Sequence, residues 1–423
     1  MINLKKNQLI SFCFVLVAIL LLSTIVSAES KLSAGEWRIK GEHFVEVEDY
    51  DNAVLAYNEA VKLEPKNAKI YNNLGAIYIV KGQNDLAIAD FKKAIELNPQ
   101  FADAYNNRGV AYSHNGENNM AIKDYNKAIE LNPKSADAYC NRGNYHSKTG
   151  QNDVAIADYN KAIELNPQDS KAYYNRGTMY VHKGECDLAI NDYTKAIEFS
   201  PHMADAYMNR GIIYSNKKQY DMAITDYTKV IELRSQDAGA YMNRGNAYSD
   251  MGQNDAAIAD YNKAIELNHQ YADAYFNRGN YYSKVGQSDV AIADYSKAIE
   301  LNPQDTAAYD NRGITYTHKG QNDVAIADFT KAIELNPRDA AIYMNRGSAY
   351  ANKGQNDVAI ADFTKAIELK PQYANGYLYR AKSFHALGRE KEAIRDFELF
   401  LQYIPSDDKR VEEVKRIIAN YQG

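Results

Sequence analysis

The sequence predicts an all-α fold built from a row of antiparallel helix pairs. The main evidence is a period of 34 residues that recurs through most of the 423-residue chain. Within each period, small and aromatic residues recur at spacings of three and four, which places them on one face of a helix. A period of this length accommodates two helices, and neighbouring pairs must stack to bury both of their faces.

Eleven repeats align between residues 34 and 407, and positions are counted below from the first residue of each repeat. The first repeat is the most divergent. The repeats begin at Ala34, Ala68, Ala102, Ala136, Ser170, Ala204, Ala238, Ala272, Thr306, Ala340 and Ala374.

The repeat that begins at Ala272 illustrates both predicted helices. Its first helix ends at Gly286, because glycine readily adopts the left-handed conformation that closes a helix. Asp289 is suited to cap the second helix. That helix ends before Pro303, because proline disfavours helical geometry in the preceding residue. The side chains predicted to pack between the helices belong to Tyr275, Gly279, Tyr282, Ala291, Tyr295 and Ala298.

These residues make the chain resemble the tetratricopeptide repeat family. The family pattern has an aromatic residue at position 4, Gly at 8, Tyr at 11, Ala at 20, an aromatic residue at 24, Ala at 27 and Pro at 32, and the repeats from Ala102 and Ala272 match it throughout. The resemblance implies a right-handed α-solenoid superhelix of antiparallel helix pairs. Local departures occur at His146, Lys218, Val230, Ser235, His269 and Ala381.

The two ends of the chain differ from the repeats. Residues 1–28 have the order of a secretory signal, because Lys5 and Lys6 precede an apolar run over residues 9–25 and small residues surround Ala28. The alternative is an uncleaved membrane anchor formed by residues 9–25. Both interpretations predict export to the periplasm or the cell exterior. Residues 408–423 predict a C-terminal helix that caps the last repeat.

Composition and motifs exclude several classes of function. The formal net charge is −6 and becomes more negative if Lys5 and Lys6 are removed, which disfavours binding to a nucleic-acid backbone. His114, His182 and His318 share position 13 but lie in repeats too far apart to hold one metal ion. The sequence contains no nucleotide-binding loop or nucleophile motif. It therefore predicts a protein that is not an enzyme, without cofactor, metal or small-molecule substrate.

Two charged series run through the repeats. Position 7 is Arg in nine consecutive repeats, and position 23 is Asp in ten. The Asp series starts one repeat before the Arg series, because position 7 of the second repeat is Leu74. We therefore predict an inter-repeat ladder in which each Asp pairs with the Arg eighteen residues later and Asp396 is left over. Examples are Asp90 with Arg108, Asp226 with Arg244, and Asp362 with Arg380.

Position 6 carries a row of asparagine residues, which the resemblance places on the concave groove where peptides dock. An amide side chain has both donors and an acceptor, so it can pair with an extended peptide backbone. The row looks like the asparagine ladder of peptide-binding superhelical arrays. Alternatively, each amide bonds only to a neighbouring helix. The row consists of Asn73, Asn107, Asn141, Asn175, Asn209, Asn243, Asn277, Asn311 and Asn345.

Position 5 forms a largely apolar series beside the asparagine row. Exposed apolar stripes mark contact surfaces, and methionine suits adaptable ones. Alternatively, these side chains pack against the adjacent helix. The predicted groove residues of this series are Tyr174, Met208, Met242, Phe276 and Met344.

Together these features predict an exported interaction scaffold that binds a protein or peptide segment in the groove. One alternative is a self-associating structural or tethering component of an envelope assembly. Another is an accessory subunit of an envelope enzyme or secretion complex. Contact with a membrane is expected only through an uncleaved N-terminal segment.

Overall fold

The computed structural model describes residues 32–422, and all regular secondary structure in this range is α-helical. The predicted signal or anchor segment lies outside the described residues. Twenty-three helices are present in this range. They are α1 Ala34–Glu46, α2 Tyr50–Leu63, α3 Ala68–Val80, α4 Asn84–Leu97, α5 Ala102–His114, α6 Asn118–Leu131, α7 Ala136–Lys148, α8 Asn152–Leu165, α9 Ser170–His182, α10 Cys186–Phe199, α11 Ala204–Asn216, α12 Tyr220–Leu233, α13 Ala238–Asp250, α14 Asn254–Leu267, α15 Ala272–Lys284, α16 Ser288–Leu301, α17 Thr306–His318, α18 Asn322–Leu335, α19 Ala340–Asn352, α20 Asn356–Leu369, α21 Ala374–Ala386, α22 Glu390–Tyr403 and α23 Val411–Gln422.

Each repeat is one antiparallel helix pair, which confirms the predicted all-α fold class. The chain divides between Pro201 and His202 into two compact units. Unit 1 contains helices α1 to α10, and unit 2 contains helices α11 to α23. Within each unit, the second helix of a repeat packs against the first helix of the next.

The close approach of the two helices in a repeat depends on Gly at position 8. A Cβ atom on Gly109 would lie 2.6 Å from the ring of Tyr125 at position 24 of the same repeat. The alanines at positions 20 and 27, such as Ala121 and Ala128, are fully buried beside that ring. Small residues on one helix thus make room for an aromatic ring on the other, as the spacing predicted.

The turn between the helices requires a left-handed residue. Most repeats place Gly there, as at Gly286 with a φ of 80°. Lys218 replaces this glycine in its repeat and keeps a φ of 60°. The substitution flagged by the sequence therefore leaves the turn geometry unchanged, although a side chain with a Cβ is strained in this region.

Helix α23 packs against the last repeat. Val414 is buried together with Phe397 and Phe400 of helix α22, and Ile417 is partly buried beside them. Arg410, just before the helix, donates from Nη1 to Oδ1 of Asn375 at 2.9 Å. These contacts cover apolar surface that the last repeat would otherwise expose.

No helix within residues 32–422 combines the length and the apolar character that a membrane crossing requires.

Candidate interaction surface

The arginine at position 7 pairs with the aspartate at position 23 of its own repeat. Arg244 donates from Nε and Nη2 to the two carboxylate oxygens of Asp260, both at 2.8 Å. Asp226 is bound in the same way by Arg210, at 2.9 and 2.8 Å. The nine pairs are Arg108–Asp124, Arg142–Asp158, Arg176–Asp192, Arg210–Asp226, Arg244–Asp260, Arg278–Asp294, Arg312–Asp328, Arg346–Asp362 and Arg380–Asp396.

The predicted pairing of each Asp with the Arg eighteen residues later is therefore wrong. Asp226 does not pair with Arg244, Asp362 does not pair with Arg380, and Asp90 does not pair with Arg108. The reason is the close packing of the two helices of one repeat. A Cβ atom on Gly211 at position 8 would lie 3.3 Å from Cβ of Asp226 at position 23, so the neighbouring Arg210 reaches the aspartate of its own repeat. Asp396, predicted to be left over, is bound by Arg380.

The arginine still links neighbouring repeats through its third nitrogen. Nη1 of Arg244 donates to Oγ1 of Thr228 at 3.0 Å, and Thr228 occupies position 25 of the preceding repeat. In unit 1, Nη1 of Arg142 donates to Oδ1 of Asn126 at 2.8 Å. Position 25 is Asn, Ser or Thr wherever this bond forms, and this regularity could have been recognised in the sequence.

Burial makes these ion pairs sensitive to the loss of a partner. Asp260 is only 5% exposed, and its hydrogen bond raises the pKa of Arg244. Burial raises the pKa of Asp226, and the two bonds from Arg210 oppose this effect. The guanidinium of Arg244 also lies over the ring of Tyr241, with 5.6 Å between its Cζ atom and the ring centroid.

Asp90 lacks the arginine that the other aspartates of this series have, because Leu74 occupies position 7 of its repeat. Its Oδ2 atom is buried and has no hydrogen-bond partner among the described residues. Burial raises the pKa of Asp90 to about 6. Asp90 is thus the unpaired member of the series.

A second series of bonds joins neighbouring repeats at the turns, and the sequence analysis missed it. Lys183 at position 14 contacts Asp153 at position 18 of the preceding repeat at 2.8 Å. Lys319 and Asp289 form the corresponding pair in unit 2. The carboxylates of these pairs are more than four-fifths exposed, so each contributes little to stability.

Positions 2, 6, 9 and 13 of the first helices form a surface that we call the first-helix face. No residue at these positions is buried. The asparagines of position 6 lie on it, and most donate from Nδ2 to a side chain of the preceding repeat. Asn277 donates to Oδ1 of Asn246 at 2.9 Å, and Asn345 donates to Oδ1 of Asp310 at 2.9 Å. The hydrogen bond to a neighbouring helix, which was the alternative prediction for this row, is therefore present in most of its members.

The oxygen of these amides is used differently from the nitrogen. No described side chain or backbone group donates to Oδ1 of Asn141, Asn277 or Asn345. Among the described residues, the buried polar atoms that lack a hydrogen-bond partner do not include these oxygens. Bonding to the preceding repeat thus leaves an open acceptor on the first-helix face. Peptide binding by the row stays a prediction.

The position 5 series is mostly packed into the core. Met242 and Met344 are 4% and 5% exposed, so their assignment to an exposed groove is wrong. Tyr174 and Phe276 are half-buried and pack against the position 24 rings of their repeats, at 5.7 and 6.0 Å between centroids. Met208 is also half-buried. The alternative of packing against the adjacent helix explains the series, because position 5 points toward the second helix.

A polar cleft opens on the first-helix face of unit 2. It has a volume of about 410 Å³. Three of its asparagines come from positions 6 and 9 of two consecutive repeats, and charged side chains at position 13 lie in its lining. The lining residues are Asn246, Ser249, Asp250, Asn254, Tyr261, Asn277, Asn280, Tyr281 and Lys284.

Models of the tetratricopeptide repeat match the chain many times. Models described as "TPR repeat" match residues 41–79, 77–116, 177–218, 245–286 and 315–354. Models described as "Tetratricopeptide repeat" match residues 102–135, 136–169, 158–190, 204–237, 272–305 and 340–373. The chain belongs to the tetratricopeptide repeat family.

Solved structures of tetratricopeptide proteins are similar to parts or most of this chain. YrrB, described as a TPR protein with an unusual peptide-binding site, is 29% identical over 47% of this chain and 97% of its own, with a TM-score of 0.39. The MamA protein is 32% identical over 41% of this chain and 94% of its own, with a TM-score of 0.34. Yeast Tom70 is 18% identical over 92% and 95%, with a TM-score of 0.39. No match is found among curated proteins.

The described residues contain two free cysteines, Cys140 and the half-buried Cys186. Cys140 is buried, and burial raises the pKa of its thiol to about 12. Within residues 32–422, no group of three His, Cys, Asp or Glu side chains is placed to hold a metal ion. The first-helix face offers hydrogen-bonding amides at position 6 and charged side chains at position 13, such as Asp250 and Lys284.

Proposed function

We propose that this tetratricopeptide protein is an exported interaction scaffold whose first-helix face binds an extended segment of a partner protein or peptide. The observation that carries the proposal is the geometry of position 6 asparagines such as Asn141, Asn277 and Asn345, whose nitrogen is held by the preceding repeat while no described group donates to the oxygen. A held amide loses little side-chain entropy on binding, which favours affinity.

The ligand class follows from the charge and spacing of these groups. Neutral amides pair with backbone N–H and C=O groups, which every peptide carries. Charged residues beside them, such as Asp250 and Lys284, would favour some partner side chains over others. The proposed ligand is therefore an extended peptide held through its backbone and selected by flanking charges.

Export is proposed from the signal-like residues 1–28. The expected product begins at Glu29 and is found in the periplasm or outside the cell. Cell fractionation with mass determination of the N-terminus tests this part. A full-length chain recovered only from membranes would replace it with anchoring by residues 9–25, and a full-length cytosolic chain would contradict export.

Binding is tested by selecting peptides of about twelve residues, roughly the length that spans four repeats, from a displayed random library on the purified chain. The selected peptides are then titrated against a triple variant in three consecutive repeats, Asn243→Ala, Asn277→Ala and Asn311→Ala. We expect an affinity loss of about tenfold or more, because several hydrogen bonds to the ligand disappear.

Asn106→Ala is the matched control. Asn106 is buried and accepts the bond from Asn141 at 3.0 Å, so this variant breaks an inter-repeat bond without removing a group from the first-helix face. It should lower the melting temperature slightly and leave peptide affinity unchanged. If the triple variant lowers the melting temperature but binds peptides normally, the row is structural and the proposal fails.

A further inference from the structure

The hydrogen bond made by a position 6 asparagine depends on the residue at position 9 of the preceding repeat. Where that residue is Asn, the amide bonds to it. Asn175 donates to Asn144 at 2.9 Å, Asn277 donates to Asn246 at 2.9 Å, and Asn311 donates to Asn280 at 2.8 Å.

Where position 9 is not Asn, four of the described amides turn to position 5 of the preceding repeat instead, whereas Asn73 donates to the hydroxyl of Tyr57. Asn345 follows a repeat with Ile314 at position 9 and donates to Asp310. Asn243 follows a repeat with Ile212 and contacts Sδ of Met208 at 3.5 Å. Position 9 therefore sets the orientation of the next amide in the row.

The side-chain oxygen of each position 9 asparagine in these pairs accepts two hydrogen bonds. Oδ1 of Asn246 accepts from Asn277 and also from the hydroxyl of Tyr261 at 2.9 Å. Oδ1 of Asn280 accepts from Asn311 at 2.8 Å and from the hydroxyl of Tyr295 at 2.9 Å. Because the oxygen and nitrogen of a planar amide lie on opposite sides, two bonds to the oxygen turn the nitrogen away from the protein contacts.

Each such amide pair presents one donor and one acceptor together. The position 9 amide supplies an N–H group, for which no described residue provides an acceptor, and the position 6 amide of the next repeat supplies its open oxygen. A peptide backbone presents the complementary C=O and N–H groups. A pair can therefore form two hydrogen bonds with one stretch of extended chain, whatever its side chains.

We infer that the two consecutive amide pairs of unit 2, Asn246 with Asn277 and Asn280 with Asn311, are the sites that grip the backbone of an extended peptide. The inference rests on the proposed function and specifies where binding occurs. The polar cleft supports it, because Asn246, Asn277 and Asn280 all lie in its lining.

The spacing of the pairs suits an extended chain. Packed helices lie about 8 to 10 Å apart, which is the length of about three residues of extended backbone. Consecutive pairs thus meet backbone groups about three residues apart. In the polyproline II form of extended chain, groups three residues apart lie on the same side, so the peptide contacts both pairs without bending.

The double variant Asn246→Ile and Asn280→Ile tests the pairs directly. Ile212 and Ile314 already occupy position 9 elsewhere in this unit, so the substitution copies an existing arrangement. The tyrosine hydroxyls keep a partner, because Ser249 lies within bonding reach of Tyr261 and Ser283 within reach of Tyr295. We expect library-selected peptides to bind about tenfold more weakly, with a nearly unchanged melting temperature.

A backbone ester identifies the hydrogen bonds themselves. Replacing one amide of a selected peptide by an ester removes one N–H donor and keeps the side chains. At the gripped position, the ester should weaken binding to the unmodified protein severalfold and have no further effect on the double variant. Equal weakening of both proteins at every ester position would place the backbone contacts elsewhere.

Ile212→Asn provides the reverse test, because Tyr227 at position 24 of that repeat supplies the hydroxyl that the pair requires. It should draw the amide of Asn243 away from Met208 and add a third consecutive pair. Selected peptides long enough to reach this repeat should bind severalfold more tightly, whereas shorter ones should not change. No gain for any length of peptide would contradict the role of position 9.

The outcomes separate the two proposals. If the library yields no peptide that binds the chain, both are overturned. If peptides bind and the triple variant of position 6 weakens them, but Asn246→Ile with Asn280→Ile does not, only the amide pairs are overturned. If the chain retains neutral oligosaccharides and no peptide, the face binds a different class of ligand and both proposals fail.

Discussion

The second repeat and the repeats that follow it differ in the partner of the aspartate at position 23. In the later repeats an arginine at position 7 donates two hydrogen bonds to the carboxylate, as Arg244 does to Asp260. In the second repeat Leu74 takes that place and Oδ2 of Asp90 has no partner. Helix packing thus does not require an ionised carboxylate at position 23, but an ionised carboxylate there requires the arginine at position 7.

The largest expected effect comes from turning a later repeat into a copy of the second. Arg244→Leu leaves the Asp260 carboxylate buried without a partner, which should cost about 3 kcal/mol of unfolding free energy. Chemical denaturation measures the loss. Adding Asp260→Ala should recover most of it, since Leu and Ala would then pack as neutral neighbours. A double variant no more stable than the single one would show that the arginine matters for packing alone.

The second prediction concerns the pH dependence of Asp90. Its pKa is raised to about 6 from 3.8, so the folded chain binds a proton more tightly than the unfolded chain. The stabilisation that this proton supplies is fully present below about pH 4 and is lost as the pH rises through 6. Asp90→Asn should therefore raise stability at pH 7 by about 1 kcal/mol, a modest value because the carboxylate is partly exposed.

Denaturation of both proteins from pH 4 to pH 7 isolates this contribution, because all other groups titrate alike in the two chains. The stability difference should grow in favour of Asp90→Asn as the pH rises. A constant difference across this range would mean that Asp90 is ionised throughout and satisfied by solvent.

A smaller effect is expected from the bond between repeats. Thr228→Val keeps the shape of the side chain and removes the acceptor for Nη1 of Arg244, which should cost about 0.5 kcal/mol. Arg244 keeps both bonds to Asp260. Hydrogen exchange in helices α12 and α13 should rise by a similar factor in both. A change confined to helix α12 would mean that the bond does not couple the repeats.

The smallest effect is expected at the turns. Lys319→Met removes the contact with the exposed carboxylate of Asp289 and should leave the denaturation midpoint within experimental error. This variant controls for the loss of one positive charge in Arg244→Leu. If Lys319→Met lost as much stability as Arg244→Leu, net charge rather than burial would govern the stability of both variants.

Much of the fold could be predicted from the sequence, but the partners of repeated residues could not. Every Asp at position 23 from Asp124 to Asp362 has an Arg sixteen residues before it and another eighteen residues after it. The period cannot distinguish these separations, and the ends of the two series favoured the wrong one. The packing of position 8 against positions 23 and 24 of the same repeat decides the matter, and that packing is a property of the folded pair.

The candidate site divides in the same way. The asparagine row recurs at position 6 and was therefore visible in the sequence, whereas Asn144, Asn246 and Asn280 occur irregularly at position 9 and gave no periodic signal. The position 5 series was misassigned because apolar residues beside a groove and apolar residues in the core have the same spacing. Only burial separates Met242 from an exposed residue.

By itself the sequence determined the period, the helix pairs and the small residues that admit the aromatic rings, because these depend on spacing along the chain. The tertiary structure decided which arginine meets which aspartate, which methionines are buried, and which way each amide turns. These depend on the distance between side chains in neighbouring helices, and a repeated sequence offers several equivalent partners for each of them.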